Sequence, residues 1–358
     1  MVKLNVNLAD RSYPIYISPD FSGLGRALST ARLNGKVMIV TDNNVSGHYL
    51  KVCSDELEAA GAEVYSHVFE AGEKSKTLGT VQDIYRQLAD RRFDRNSSIL
   101  ALGGGVVGDI AGFAAATFMR GINFVQVPTS LLAQADSSIG GKTGVDFEGS
   151  KNMVGAFYQP RFVYINVKTL STLPARELSS GLAEVIKHGL ILNTEFYDYI
   201  NDNMDKIFRF DDNALQYVTK MNCSIKKSIV EQDEHEGGLR AILNFGHTIG
   251  HAVESASEFS LLHGECVAIG ISGAFKLAFK LGMLTKDVAD GVEKTLTAAG
   301  LPIRASGLDP ETVYTKMLSD KKAKDGRLNF ILPKGIGEVI SCSLENESLI
   351  KEVIDELV

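Results

Sequence analysis

Three histidines stand near one another in the second half of the sequence: His247 and His251, four residues apart, and His263 after a short connection. A spacing of four puts the first pair on one helix face. Three neutral imidazoles close together are donors that suit a divalent metal, although two histidines on one face also occur as plain packing. The HxxxH pattern lacks the glutamate of a metalloprotease helix. Glu184, in Leu182-Ala183-Glu184-Val185-Ile186-Lys187-His188, is a carboxylate among apolar and small residues. Once buried it needs a partner, and a metal or Lys187 on the adjacent turn would serve. His188 reads as helix packing. A Glu/His/His set with open positions is the make-up of a catalytic zinc site rather than a structural one. Arg240, Asn244, His247 and His251 fall at i, i+4, i+7 and i+11, so a continuous helix would align them as a polar stripe.

A second chemistry lies in the first half. Gly103-Gly104-Gly105-Val106-Val107-Gly108-Asp109 follows an apolar run and opens a helical one, with glycines at 103, 105 and 108. Such glycines let backbone approach a pyrophosphate at a helix N-terminus, though a plain tight turn shares the pattern. The acid usually found downstream is replaced by Asn123-Phe124-Val125-Gln126-Val127-Pro128. Asp42, ending the run Lys36 to Thr41, would accept from ribose hydroxyls and repel a 2′-phosphate, favouring NAD; an Asx turn is the competing reading. Arg120, Lys142, Lys151 beside Asn152, Lys187, Lys226 and Arg240 sit in Gly-rich or apolar surroundings, which suggests a pocket for phosphate and carboxylate groups. Gly140-Gly141-Lys142-Thr143 lacks the first glycine of a P-loop, so ATP is rejected.

The elements that must hold these groups change character along the chain. Lys36 to Thr41, Glu63 to Phe69, Ser98 to Leu102 and Phe124 to Val127 read as buried strands, with helical segments such as Thr77 to Arg91 between them. After about Thr172 the pattern turns helical, over Pro174 to Leu192, Ala214 to Glu231, Thr248 to Glu258, Glu265 to Leu281 and Val288 to Ala299. A late hairpin is expected around Pro333-Lys334-Gly335. The expected fold class is α/β, with an N-terminal Rossmann-like parallel-sheet domain (1–175, NAD-binding) followed by a mainly α-helical C-terminal domain (176–358, metal- and substrate-binding). A cleft at their junction is the expected place for a site. The 358 residues carry a net charge of −7 with no block of like charge, which disfavours nucleic acid and anionic membranes as partners. Scattered Cys53, Cys223, Cys266 and Cys342, and an N-terminus that alternates like a strand, lead us to expect a reducing, cytoplasmic setting.

NAD, a catalytic metal and an anionic substrate pocket together describe redox chemistry at a carbinol carbon. The residues that carry it resemble a family. The segments are Ala71-Gly72-Glu73-Lys74-Ser75-Lys76, Gly103 to Asp109, Val127 to Lys142, Lys151 to Phe157, Glu177 to Lys187, Leu243 to His251 and His263-Gly264-Glu265. In this order, from about Thr41 to Lys322, the chain resembles the 3-dehydroquinate synthases of the sugar phosphate cyclase family. The resemblance implies an NAD- and Zn²⁺- or Co²⁺-dependent lyase of the shikimate pathway. Such an enzyme cyclises 3-deoxy-D-arabino-heptulosonate 7-phosphate to 3-dehydroquinate, releases phosphate and returns the hydride it removes.

It further implies Glu184, His247 and His263 as metal ligands, and Lys142, Asn152, Lys226, Arg240, Asn244 and His251 around the substrate, with Arg120 reaching in from the second subunit of a homodimer. Asp136 and Lys187 would orient hydroxyls, His251 would assist proton transfer, and Lys321 or Lys322 would meet the carboxylate. For the cofactor it carries over Asp42, Asn44, Ala71, Gly72, Glu73, Lys74, Ser75, Lys76, Gly105, Val106, Val107, Gly108, Asp109, Thr129, Ser130, Lys142, Lys151 and the turn Thr169, Leu170, Ser171, Thr172. Ser130 stands where threonine is usual in the family, His235 where arginine often precedes Glu236, and His188 where tyrosine is frequent. These departures touch tuning rather than reaction class. The competing readings are another cyclase such as a 2-deoxy-scyllo-inosose synthase, a metal-dependent polyol dehydrogenase, and a non-catalytic NAD sensor.

Overall fold

The computed structural model describes residues 1–258, 260–319 and 328–358. They form two compact units, Met1–Leu173 with Phe210–Glu231, and Pro174–Arg209 with Gln232–Val358. The first unit begins with β1 (Val2–Val6), β2 (Tyr13–Ser18), α1 (Leu24–Thr30), β3 (Lys36–Asp42), α2 (Asn43–Ala59), β4 (Glu63–Phe69) and α3 (Leu78–Asp90). It continues through β5 (Ser98–Gly103), α4 (Gly105–Thr117), β6 (Asn123–Pro128), β7 (Lys142–Phe147), β8 (Ser150–Phe157) and β9 (Phe162–Asn166). Seven strands make one sheet in the order β1-β2-β9-β6-β5-β3-β4, parallel except for β1 against β2. β7 and β8 form a separate antiparallel hairpin.

The central strands are apolar on both faces because helices cover both. Val37, Ile39, Leu100 and Leu102 join one core with Leu24, Leu28, Cys53 and Leu57 of α1 and α2. Met38, Val40, Ile99 and Ala101 alternate into a second core with Val81, Ile84, Val107 and Ile110 of α3 and α4.

The second unit starts with α5 (Ala175–Leu192), α6 (Thr194–Asp202) and α7 (Met204–Phe208); α8 (Asp212–Gln232) then returns to the first unit as far as Glu231. Asn222 Nδ2 donates to the Ala135 carbonyl and Lys226 pairs with Asp136, which fastens α8 to the connection after β6. A single cut at 175 therefore does not describe these units. The remaining elements are α9 (His247–Ala256), α10 (His263–Lys280), α11 (Lys286–Ala298), α12 (Pro310–Ser319), β10 (Leu328–Gly335), β11 (Glu338–Leu344) and α13 (Glu347–Leu357).

α5 is buried without interruption from Leu178 to Ile191, as befits a core helix that is apolar around most of its girth. Arg240 and His251 are not on one continuous helix: Leu239–Asn244 is a 3₁₀ turn, and after Gly246, at φ 77°, α9 starts at His247, one residue from the expected start at Thr248. The late hairpin turns at Ile336-Gly337, Gly337 having φ 86°, while Pro333 is paired with Val339 inside the ladder. Among the described residues no helix is long and apolar enough to cross a membrane.

Candidate active site

The sheet order fixes where a nucleotide can lie in the first unit. β3 pairs with β4 on one side and β5 on the other, all parallel, so the order in which strands are added reverses between β3 and β5. Open parallel sheets bind ligands beyond the carboxyl ends of strands at such a reversal. Asp42 ends β3 and Gly103 ends β5, so both sequence signals meet there. Gly104 caps α4 without a side-chain acceptor, which leaves the first-turn N–H groups to an anion. A Cβ on Gly108 would lie 2.9 Å from Gln126 Oε1, so glycine lets α4 sit close on β6. Asp42 Oδ1 accepts from the N–H groups of Asn44 and Val45 at 2.9 Å each, capping α2. The Asx reading is thus realised, and a ribose would be left Oδ2.

Around this mouth, buried Lys76 pairs with Asp109 at 2.7 Å and hydrogen-bonds Asn152 Oδ1, while Lys151 lies 3.5 Å from Glu73. Burial disfavours the Lys76 charge, yet Asp109 and Glu73 outweigh it and its pKa is raised. Asn152 holds φ 52°, and its N–H donates to Asp146 at 2.8 Å. The Thr169 to Thr172 turn is a 3₁₀ segment, Val167–Thr172. Gln134 Nε2 donates to Thr169 Oγ1, Thr169 Oγ1 donates to the Thr129 carbonyl, and Tyr49 shares a hydrogen bond with Thr172. Gln134 and Tyr49 are supports that the sequence does not single out, since neither carries a charge or a spacing signal.

Asp136 sits in a π-helical turn, Ala133–Ser137, and its carboxylate accepts from buried Lys226 at 2.6 Å. π-turns of this kind are frequent at functional sites. Lys142 begins β7 and is exposed. Arg120, also exposed, follows Met119, and Met119, Arg120 and Gly121 have φ of 51°, 66° and 119°.

In the second unit α5, α9 and α10 bring three donors together. Glu184, His247 and His263 present ligand atoms all within 4.8 Å of one another. Glu184 Oε1 lies 3.5 Å from His247 Nε2 and 3.6 Å from His263 Nε2. Zinc bonds of about 2.0–2.2 Å in a tetrahedron place donor atoms about 3.3–3.6 Å apart, so both separations fit one ion. Close helix approach makes this possible. A Cβ on Gly264 of α10 would fall 1.9 Å from the Ser180 carbonyl of α5, and one on Gly270 would fall 1.8 Å from that of Gly246.

Glu184 is fully buried, and neither of its oxygens has a well-formed hydrogen bond. Burial opposes its charge, but contact with Lys187 and the flanking imidazoles hold its carboxyl well below the usual range. Burial, with Lys187 next in effect, keeps His247 neutral, its pKa well below 6.5. His263 goes the other way: against burial, Glu184 and Glu254 push it up to about 9. An anionic oxygen and a neutral imidazole are the forms a metal requires. His247 Nδ1 lies 3.0 Å from the Phe245 carbonyl, which leaves Nε2 for the ion. The His251 ring is 5.1 Å from that of His247 and 6.1 Å from that of His263.

Lys187 Nζ also donates to the Leu243 carbonyl at 2.8 Å, tying α5 to the 3₁₀ turn that carries Arg240 and Asn244. Arg240 is buried, donates through Nη1 to the Glu234 carbonyl, and has Nε 3.4 Å from Glu236. Arg176 grips Glu265 by two 2.7 Å hydrogen bonds, and Glu265 accepts from the Leu262 N–H, so the start of α10 is clamped beside His263. Arg176 and Glu254 escaped the sequence reading because nothing in their spacing marks them. Lys321 and Lys322 lie outside the described residues.

Residues 66–180 match the family profile described as 3-dehydroquinate synthase N-terminal, and residues 181–323 that described as 3-dehydroquinate synthase C-terminal. The chain is 58% identical over 358 residues to the 3-dehydroquinate synthase of Acetivibrio thermocellus, covering 100% of this chain and 99% of the relative. Among solved structures, 2-epi-5-epi-valiolone synthase from Streptomyces hygroscopicus subsp. jinggangensis 5008 with NAD⁺ and Zn²⁺ bound aligns with a TM-score of 0.90 at 28% identity over 98% of each chain. A 2-deoxy-scyllo-inosose synthase complexed with carbaglucose-6-phosphate, NAD⁺ and Co²⁺ aligns at 0.88 and 27% over 100% of each.

Proposed function

The chain belongs to the 3-dehydroquinate synthase family, and from that premise we propose how its own residues carry the reaction. It is an enzyme with 3-dehydroquinate synthase activity that acts on a phosphorylated sugar acid. We assign 3-deoxy-D-arabino-heptulosonate 7-phosphate as substrate, with NAD and Zn²⁺ or Co²⁺ as cofactors. The observation that carries this reading is the Glu184, His247 and His263 trio, whose spacing suits one divalent ion, with Glu184 anionic and His247 neutral and with His263 giving up its proton as the ion binds. Buried and semi-buried free cysteines support a reducing, cytoplasmic setting.

When bound, NAD supplies a hydride acceptor that gives the same hydride back, and the metal supplies a Lewis acid for adjacent substrate hydroxyls. The chain holds and orients. The first turn of α4 at Gly105 to Gly108 would hold the pyrophosphate of NAD, and Asp42 and Asn44 at the end of β3 would hold a ribose. Glu73, Lys76, Asp109, Lys151, Thr129, Ser130 and the Thr169 to Thr172 turn complete that wall. Lys142, Asn152, Lys226, Arg240 and Asn244 are assigned to the phosphate and carboxylate. Asp136 and Lys187 fix hydroxyls, and His251 moves the proton of the hydroxyl being oxidised. The substrate's own phosphate dianion takes the C6 proton as it leaves, which asks of the protein only placement and charge stabilisation.

The test is phosphate release from this substrate with trace NAD and Zn²⁺, with the NADH absorbance followed in the same cuvette. We expect many turnovers of phosphate without NADH accumulation. NADH rising in step with turnover would make the protein a dehydrogenase, and silence in both channels would overturn this substrate and turn the search to other sugar phosphates.

Arg120 is exposed within three successive residues of positive φ, Met119 to Gly121, which supports a role at a second subunit's substrate in a homodimer. Mixed dimers of Arg120→Ala and His247→Ala are therefore expected to regain activity that neither variant shows alone. Mixing without any recovery would assign Arg120 to its own subunit.

A further inference from the structure

We propose that Glu254 is the positioning residue that fixes His263 for the metal, an inference that rests on the metal reading above. A histidine that binds an ion through Nε2 carries a proton on Nδ1, and inside a protein that proton needs an acceptor. His247 has one in the Phe245 carbonyl. For His263, Nε2 faces Glu184 at 3.6 Å while Nδ1 faces Glu254 Oε2 at 3.7 Å. The second separation is long for a hydrogen bond and within ion-pair range.

Glu254 is 5% exposed. It lies on α9 seven residues after His247, two turns along the same helix face. α9 thus supplies one ligand directly and braces another that belongs to α10. The two imidazoles differ in their outer partners, a neutral carbonyl for one and a carboxylate for the other. The carboxylate makes His263 the stronger donor, fixes its ring, and adds a negative charge just outside the first coordination sphere of a dication.

Glu254 also falls in a second trio, with His251 and His263, whose ligand atoms lie within 4.8 Å of one another. Direct ligation there would compete with the orienting role, and the size of the effect separates the two.

The experiment titrates Co²⁺ into the metal-stripped full chain by competition with a chromophoric chelator, for the parent, Glu254→Gln, Glu254→Ala and Glu184→Gln. Loss of the outer partner is expected to weaken Co²⁺ binding about 10- to 100-fold in Glu254→Ala and less in Glu254→Gln, which keeps an acceptor oxygen. Glu184→Gln, which removes an anionic ligand, is expected to lose more than either. In Zn²⁺-loaded, ¹⁵N-histidine-labelled protein, the His263 Nδ1 proton is expected far downfield in the parent and shifted upfield in Glu254→Gln.

Parent-like affinity together with an unmoved proton resonance in both Glu254 variants would overturn the proposal and leave the metal reading intact. Loss as deep as that of Glu184→Gln would make Glu254 a ligand instead. Lowered melting with parent-like affinity of the folded fraction would reduce it to packing. A parent chain that takes up no Co²⁺ would remove the metal reading, and this one with it.

Discussion

Stripping the enzyme of divalent metal is expected to lower phosphate release by about a thousandfold or more, with Zn²⁺ or Co²⁺ restoring it. A Lewis acid at a developing alkoxide is worth several kcal/mol, and each 1.36 kcal/mol is about tenfold in rate. The matching substitution is His263→Ala. Glu184 is a poorer target, because its loss would leave the Lys187 ammonium buried without its carboxylate. The His263 side chain is 32% exposed, so its removal strands less, and the fold and NAD affinity are expected to survive. Thermal melting, NAD titration and metal content measured together check this. Full activity after exhaustive chelation would sink the metal assignment, and an unfolded His263→Ala would make the residue a packing element.

Arg240→Ala is expected to lower kcat/KM by about 30-fold to several thousandfold, the range that corresponds to losing one member of a buried, hydrogen-bonded charge contact at about 2–5 kcal/mol. Nη1 donates to the Glu234 carbonyl and Glu236 lies 3.4 Å from Nε, and the guanidinium's planar array of donors suits phosphate or carboxylate. Arg240→Lys should fail to restore the rate, since a point charge on a flexible stem has no fork. Steady-state kinetics on both variants, with melting curves to confirm folding, decide the matter. A lysine variant at the parent rate would show that charge alone is used.

How much of this was legible in the sequence depended on the range of the interaction. Gly103 to Asp109 and the strand ending at Asp42 announce themselves locally, because turn chemistry and strand periodicity are written within a few residues. Glu184, His247 and His263 stood out as polar groups in apolar surroundings. Their meeting on three helices was not visible locally, since it depends on glycines such as Gly264 and Gly270 whose effect appears only when helices touch. The start of α9 lies one residue from the expected Thr248, but the i, i+4, i+7, i+11 spacing of Arg240 to His251 did not show whether one helix carries all four, since a 3₁₀ turn followed by a helix gives the same spacing. The β7–β8 hairpin carries little strand signal, because Gly144, Gly149 and Gly155 interrupt its apolar pattern. Pro333 suggested a turn, yet proline is tolerated in a two-stranded ladder where each strand has a free edge.

The return of α8 to the first unit bears on how the polypeptide can be dissected. The two family profiles meet at residues 180 and 181, and a gene cut there would separate α8 from the rest of the first unit. The fragment 1–180 would keep the β3/β5 mouth but lose Asn222 and Lys226, the groups that secure the Ala135 carbonyl and Asp136. The α/β half is thus not an autonomous module that can be borrowed for other proteins. Its last helix is encoded inside the other half, and a circular permutant or a fusion would have to carry both.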